Sequence, residues 1–177
     1  MKRRFALVML LGMASAASAE EVVIDFEQAQ IGKPVPAWTE KGVVFKLARP
    51  LEHSKAAGRI MFFPHIATNH KGILNAMATE QAIPVQATFP RNASAVTLVL
   101  WGSTGCPALL EALDQNGEVV DKASIAAVPG RKAPGDPVPF VELTVKAPAI
   151  AAVRFSGPRD GEFLAADEIR FTTLDAK

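Results

Sequence analysis

The stretch Ser94-Ala-Val-Thr-Leu-Val-Leu-Trp101 decides the fold class of this 177-residue chain. Successive side chains of a β-strand point to opposite faces. In that geometry the apolar residues of the stretch divide into two sets, Val96, Leu98 and Leu100 against Val99 and Trp101. Apolar residues on both faces are typical of a strand in the middle of a sheet. The stretch therefore predicts a central strand that is covered on both sides.

The same alternation recurs on either side of this strand. Inward positions are predicted at Val22, Ile24 and Phe26; at Val43, Phe45 and Leu47; at Val141, Leu143 and Val145; at Val153 and Phe155; and at Ile169 and Phe171. Turn residues separate the segments about every 8–12 residues. Asn116-Gly117 predicts a type I′ hairpin turn, and the proline-rich segment 128–139 predicts a loop. We expect an all-β fold, a two-sheet antiparallel sandwich of jelly-roll type with about eight to ten strands.

Residues 1–19 have the composition of a cleavable secretory signal peptide. Lys2-Arg-Arg4 is basic, Phe5–Met13 is apolar, and Ala17-Ser-Ala19 supplies the small residues of a cleavage site. The apolar stretch is too short to span a bilayer, and no later stretch reaches about 18 apolar residues. We therefore expect one mature domain at residues 20–177, without a membrane span, in the periplasm or outside the cell.

The charge balance argues against some classes of partner. Three of the 19 Lys and Arg residues lie in the leader and all 18 Asp and Glu residues follow it, so the mature chain carries a net charge of −2. Nucleic acids and anionic membranes require clustered Lys and Arg, so neither is an expected partner. Cys106 is the single cysteine, which excludes an intramolecular disulfide and predicts a buried thiol.

Five short motifs occur in an informative order. They are Ile24-Asp-Phe-Glu27, Gly32-Lys-Pro-Val-Pro36, Gly42-Val-Val-Phe45, Leu113-Asp-Gln-Asn-Gly-Glu-Val119 and Asp167-Glu-Ile-Arg-Phe171. Together they resemble exported bacterial β-sandwich modules of the galactose-binding-like, carbohydrate-binding-module type. The resemblance implies that the first and last strands lie side by side. It also implies a structural calcium ion near them, with Glu27 and Asp167 as ligands and Asp25 and Glu168 as neighbours.

Calcium needs six to eight oxygen ligands, of which these carboxylates supply only a part. The alternative is that Asp25 and Glu27 form ion pairs with Arg170 on a neighbouring strand. No other cofactor is expected.

The aromatic residues depart from the pattern of that group. Its glycan binders usually stack sugars on exposed aromatic rings, yet this chain has no tyrosine and only two tryptophans, Trp38 and Trp101. Both are predicted to belong to a ligand site. Their small number weakens the interpretation of the chain as a sugar binder.

The irregular segment 53–79 contains the polar candidates for a site, because loops on a rigid β scaffold often carry binding residues. His65, Asn69, His70 and Lys71 are predicted to hold a polar ligand. If His53 converges with His65 and His70, three imidazoles would bind zinc or copper, or one would act as a general base. The alternative is that these histidines form ordinary surface or hydrogen-bonding contacts.

Catalytic patterns are weak in this sequence. The segment Trp101–Cys106 lacks the Gly-x-Ser-x-Gly order of a hydrolase elbow. Asp160 and Glu162 are the most suitable loop acids for glycoside hydrolysis, but they lie in a turn sequence that favours exposure. We expect an exported, noncatalytic binding or envelope-associated module with a glycan or another polar ligand. A polysaccharide hydrolase or lyase, and a structural module that contacts another envelope protein, are the alternatives.

Overall fold

The computed structural model describes residues 20–49, 59–65, 68–75, 83–157 and 163–174. These ranges contain ten β-strands and no helix, which confirms the all-β class. The strands are β1 (Glu21–Ile24), β2 (Trp38–Glu40), β3 (Val43–Leu47), β4 (Ile60–Pro64), β5 (Lys71–Asn75), β6 (Val85–Gly102), β7 (Ala108–Leu113), β8 (Val119–Ile125), β9 (Val141–Ser156) and β10 (Leu164–Thr173). Nothing in the described ranges forms a helix of the length and hydrophobicity that a membrane crossing requires. The predicted signal peptide lies outside the described residues.

The strands form one antiparallel hydrogen-bonded sheet. Its main path runs β4-β5-β10-β6-β9-β7-β8, while β1 pairs with β10 and β3 connects β2 to β6. Glu21–Ile24 of β1 pair in register with Ile169–Thr172 of β10. The first and last strands therefore lie side by side, as the resemblance implies.

β6 and β9 change partners along their length. The first part of β6, Val85–Thr88, pairs with β3 and with Ala152–Phe155 of β9. From Ala93 onward, β6 pairs with β10, and from Ala95 onward it also pairs with Val141–Lys146 of β9. The register is interrupted just before Ala93, where Pro90 has no N–H to donate to the ladder. This interruption divides the strands into two groups that share one core.

The core is built from the inward faces of both groups. Phe26 packs edge-to-face against Phe45, with ring centroids 5.2 Å apart, and tilted against Phe62 at 5.8 Å. Most of the predicted inward positions are buried: Ile24, Phe26, Val43, Phe45, Leu47, Leu143, Val145, Val153, Phe155, Ile169 and Phe171. Val22 and Val141 are partly buried and pack against the same core. The predicted orientation of these strands is confirmed.

The central strand differs from its prediction on one face. Val96, Leu98 and Leu100 are fully buried, whereas Val99 on the other face is only half-buried. Further along that face the surface is polar, and the Thr97 and Thr144 hydroxyls hydrogen-bond at 2.9 Å.

The β7–β8 hairpin is present, but its turn is not type I′. Of its residues only Gly117 has a positive φ, +81°. The Asp114 carboxylate accepts hydrogen bonds from the backbone N–H groups of Asn116 (2.8 Å) and Glu118 (2.9 Å). An aspartate that bonds the following backbone stabilises a longer turn in which only the glycine needs the left-handed conformation.

A small second cluster covers the outer face of β5, β6 and β10. Leu74, Trp101 and Ala165 are buried there, and Val138, Phe140 and Phe163 pack around them. Val138 belongs to the segment 128–139, which contains no strand, as predicted. This loop crosses the outer face and covers Trp101.

Candidate functional site

The structure brings together residues that the sequence analysis assigned to separate sites. The prediction that segment 53–79 is irregular was wrong in part, because strands β4 and β5 lie within it and pair as a hairpin. Four predicted ligand residues belong to this hairpin: His65, Asn69, His70 and Lys71. His70 contacts Asp167 of β10, and Lys71 contacts Glu27 just after β1. The group formed by Glu27, Asn69, His70, Lys71 and Asp167 is called the His70–Asp167 site below.

A β-bulge in β10 positions Asp167. Ala166 and Glu168 pair with consecutive residues of β6, so Asp167 is the extra residue between them. A bulge allows two successive side chains to point away from the core. Asp167 and Glu168 do so here, between the buried apolar residues Ala166 and Ile169. The bulge thus places a carboxylate on the outer face next to the β4–β5 hairpin.

The Asp167 carboxylate is buried and only partly satisfied. The residue is 8% exposed, and its Oδ1 atom has no hydrogen-bond partner among the described residues. Its Oδ2 atom lies 3.5 Å from Nδ1 of His70, whose side chain is 59% exposed. Burial raises the pKa of Asp167, because desolvation disfavours the charged form more than His70 and His65 favour it. The pair therefore joins a buried acceptor to a group at the surface.

His65 is buried below this pair, and both of its ring nitrogens are bonded. Nε2 lies 3.0 Å from the Val138 carbonyl oxygen, and Nδ1 lies 3.0 Å from the Thr68 hydroxyl. A carbonyl only accepts, so Nε2 donates to Val138, while the Thr68 backbone N–H donates to Nδ1 at 3.3 Å. The ring also contacts Trp101 at 5.0 Å and Phe140 at 4.5 Å between centroids. His65 supports the site from beneath, and its role in direct ligand contact stays a prediction.

Asn69 shapes the hairpin that carries His70. Its φ is +59°, a left-handed conformation that asparagine adopts more readily than most residues. The Asn69 N–H donates to the His65 carbonyl at 2.9 Å, and the His65 N–H donates to the His70 carbonyl at 2.7 Å. Asn69 and His70 are thereby presented together at the exposed tip of the hairpin.

Lys71 and Glu27 connect this hairpin to the end of β1. The Lys71 N–H donates to Glu27 Oε1 at 3.2 Å, and the Lys71 ammonium donates to the Glu27 carbonyl oxygen. Phe26, which precedes Glu27, has a φ of +58° and a buried ring. The buried ring and the two Lys71 contacts fix the position of Glu27 beside β5.

The alternative pairing of Asp25 and Glu27 with Arg170 is not observed. Arg170 forms ion pairs with Glu142 and with Glu168, the latter at 2.7 Å. Asp25 Oδ1 instead accepts the Glu27 backbone N–H at 3.1 Å. The reason is the register, which sets Arg170 opposite Val23 of β1 while Glu142 lies on the nearby strand β9.

The two tryptophans lie outside the exposed part of the site. Trp101 is 1% exposed, and its ring contacts His65 and Phe163. Trp38 is half-buried, packs edge-to-face on Phe62 at 5.1 Å, and donates its indole N–H to Glu40 at 3.3 Å. Trp101 supports the site from within the outer cluster, and the predicted ligand contact of either ring is untested.

Phe63 is an aromatic residue that the sequence analysis did not consider. It is 47% exposed and lies opposite Gly72 in the β4–β5 pairing, two residues from His70. The signal was the pair Phe62-Phe63, because adjacent residues of a strand face opposite sides and only one can enter the core. Phe63 thus provides an apolar surface next to the polar site.

The metal predictions stay untested. Within the described ranges, no group of three or more His, Cys, Asp and Glu side chains is arranged to hold a metal ion. His53, Asp160 and Glu162 lie outside the described residues. Structural calcium at Glu27 and Asp167, and convergence of the three histidines, therefore stay predictions.

Comparison with known proteins gives low similarity. No protein-family model matches the chain, and no curated protein matches it. The apo structure of BiXyn10A CBM1 aligns with a TM-score of 0.45 and 13% identity over 87% of this chain and 97% of that one. Arabinose-bound MgGH51 α-L-arabinofuranosidase aligns at 0.41 and 10% identity, over 70% of this chain and 23% of that one.

A third structure contains the CBM22-1 and GH10 modules of Clostridium thermocellum xylanase 10B with xylohexaose. It aligns at 0.39 and 12% identity, over 66% of this chain and 24% of that one. Similarities of this degree assign the chain neither a family nor a ligand.

Proposed function

We propose that this protein is a noncatalytic binding module whose His70–Asp167 site holds a glycan or another molecule rich in hydroxyl groups. The observation that carries the proposal is the buried Oδ1 atom of Asp167, which has no hydrogen-bond partner among the described residues. A buried acceptor that lacks a partner destabilises a fold by about 1–3 kcal/mol. Because Oδ1 has almost no accessible surface, a ligand hydroxyl that donates to it would displace the residues covering it, and the new hydrogen bond would remove this penalty.

The surrounding groups suit a ligand that both donates and accepts hydrogen bonds. The imidazole of His70 and the amide of Asn69 are exposed on the same hairpin tip. An amide both donates and accepts, and an imidazole can do either at different nitrogens. Sugar hydroxyls have the same dual character. Phe63, on the adjacent strand, offers an apolar face for the C–H side of a sugar ring.

The site also has a rigid base, which favours binding. His65 is held by hydrogen bonds on both sides and by Trp101 and Phe140. Groups that are already fixed lose little conformational freedom when a ligand binds. The base therefore supports affinity by holding the hairpin in place.

A second candidate function is hydrolysis or elimination on a polysaccharide. The raised pKa of Asp167 and its contact with the exposed His70 favour it, since perturbed acids next to a histidine are common in active sites. Glycoside hydrolysis would require a second carboxylate at a defined separation from Asp167. Release of reducing ends from a bound glycan would identify this activity.

The cellular location and the domain bounds are proposed on the sequence alone. Residues 1–19 act as a signal peptide, and residues 20–177 form one domain in the periplasm or outside the cell. The two groups of strands form the layers of a jelly-roll-like sandwich, a proposal supported by their shared core and by the partner change in β6. An envelope protein is the alternative partner.

The test is isothermal titration of the purified protein with a panel of neutral oligosaccharides, xylohexaose among them. We expect one of them to bind, and we expect His70→Ala and Asp167→Asn each to weaken its binding at least about tenfold, which corresponds to ~1.4 kcal/mol. His70 is exposed and its contact with Asp167 is long, 3.5 Å, so His70→Ala should lower the melting temperature only slightly.

Glu118→Gln is the matched control, because Glu118 is an exposed acid at the β7–β8 turn. It should alter affinity by less than about twofold. Equal affinity of wild type, His70→Ala and Asp167→Asn for a bound oligosaccharide would place the binding site elsewhere. Absence of binding across the panel would refute the neutral-glycan proposal.

A further inference from the structure

A row of polar side chains crosses the outer face of the other group of strands. The register aligns one residue from each of five neighbouring strands: Lys46 (β3), Gln86 (β6), Arg154 (β9), Glu111 (β7) and Lys122 (β8). The residues before and after them in β3, β6, β9 and β7 are apolar and buried, so these four face away from the core. Lys122 shares their face, because it lies directly opposite Glu111. We call these five residues the polar row.

Cationic residues alternate with uncharged or acidic residues along the polar row. Lys46, Arg154 and Lys122 lie on every second strand, which separates successive cations by ~10 Å. Gln86 and Glu111 occupy the strands between them. A complementary ligand is therefore an extended chain that presents anionic groups at intervals, with hydroxyl groups between them.

The residue at the centre of the row, Arg154, is held in a fixed orientation by Glu111 on the neighbouring strand. Arg154 Nε donates to Glu111 Oε2 at 2.6 Å, and both side chains are partly buried. This contact uses one of the five N–H donors of the guanidinium and orients its planar fork. A fixed guanidinium binds a carboxylate in two parallel hydrogen bonds, which adds geometric selectivity to the attraction of charge.

A cavity lies directly beside the row. Two residues further along β7, β8 and β9, the side chains of Leu109, Ser124 and Ser156 line a cavity of about 430 Å³. Its serine hydroxyls can donate and accept hydrogen bonds and its leucine is apolar, a combination that suits a sugar ring. The row and the cavity together form one continuous surface on the same face.

We propose that this surface is a second binding site, separate from the His70–Asp167 site, and that its ligand is an acidic polysaccharide with carboxylate groups. The carboxylates bind Lys46, Arg154 and Lys122, and the intervening hydroxyls bind Gln86 and Glu111. The row carries three cations and one anion, so it is locally positive although the chain beyond residue 19 has a net charge of −2. Charges more than a Debye length away, ~8 Å at physiological salt, are largely screened. The charges of the row therefore affect a bound ligand more than the net charge of the chain does.

The test uses polygalacturonate as the probe and a neutral galactan as its uncharged counterpart. Polygalacturonate should bind the full chain, and its affinity should fall as salt rises, whereas the galactan should bind at least about tenfold more weakly. The double variant Lys46→Glu and Lys122→Glu should reduce the affinity for polygalacturonate at least about tenfold. Both lysines are exposed, so the double variant should have the melting temperature of the wild type. If it is less stable, the milder double variant Lys46→Gln and Lys122→Gln replaces it in the binding test.

Lys33→Glu is the matched control, an exposed lysine in the segment between β1 and β2. It should change the affinity by less than about twofold, as should Asp167→Asn, which separates this proposal from the first site. Dextran sulfate tests whether any polyanion suffices. The proposal is wrong if polygalacturonate does not bind, if Lys33→Glu weakens it as much as the double variant does, or if dextran sulfate binds equally well.

Discussion

Replacement of Phe45 by alanine gives the most direct test of the register in β3. Phe45 is fully buried and packs edge-to-face on Phe26 at 5.2 Å. Removal of a buried phenylalanine typically destabilises a fold by about 3–5 kcal/mol, a figure that includes the cavity left behind. The lost aromatic pair contributes roughly 0.5–1.5 kcal/mol of such an effect. For a chain of this length, each kcal/mol lowers the melting temperature by about 2–4 °C, so we expect a decrease of roughly 6–20 °C.

The matched control is Val44→Ala, one residue earlier in the same strand. Val44 is 37% exposed on the opposite face, so its truncation should change stability by no more than about 0.5 kcal/mol. Urea unfolding monitored by circular dichroism gives the free energy of unfolding of each variant. Thermal melting checks which of the two variants is less stable. A larger loss for Val44→Ala than for Phe45→Ala would mean that β3 pairs one residue out of register, because such a slip exchanges the two faces.

Three further predictions concern the site and its support. Gly72→Ala should destabilise the protein by about 1–3 kcal/mol, because an added Cβ would lie 2.8 Å from Trp101 Nε1 and 3.0 Å from Ala165 Cβ; unchanged urea unfolding would contradict this packing. Burial raises the pKa of Asp167, so the native state binds its proton more tightly than the unfolded chain does. The stabilisation from this proton is present below the ordinary pKa of about 3.9 and is lost as pH rises through the raised value. Asp167→Asn should therefore gain stability relative to wild type as pH rises through that range, and an advantage that does not grow with pH in urea titrations would count against the dominance of burial. If calcium binds at Glu27 and Asp167, calcium should raise the melting temperature over that in chelator and Glu27→Gln should abolish the difference; equal melting in both conditions would remove the ion from the site.

The strands with regular alternation were predictable because their signal is local, whereas β2, β4 and β5 were not predicted. In Gly42–Leu47 the alternation of Val43, Phe45 and Leu47 with Val44 and Lys46 assigns each side chain to a face without reference to any other strand. The side chains of the apolar face are then buried, because packing that face into the core removes apolar surface from water. The same logic was incomplete at β6, where the second face also depends on which segments cross it.

The sequence identified individual residues of the site but did not predict that they lie together. His70 and Asp167 were both singled out, but for different ligands, because 97 residues separate them in the sequence. Their contact depends on a bulge in β10 and on the pairing of β5 with β10. Neither has a sequence signature strong enough to align two strands that are distant in the chain. The burial of His65 likewise depends on a loop whose Val138 arrives from far along the sequence.

By itself, the sequence determined the position and the apolar side of the strands with regular alternation, and that a glycine is needed at position 117; it did not predict β2, β4 or β5. These properties arise from the two-residue repeat of the strand and from backbone sterics, which act between near neighbours. The tertiary structure alone decided which strands lie together, and hence that Lys71 contacts Glu27, that Arg170 pairs with Glu142, and that Asp167 is buried beside His70. The physical reason is that the pairing of distant strands is selected by the packing of the whole core, a sum over contacts that no short segment contains.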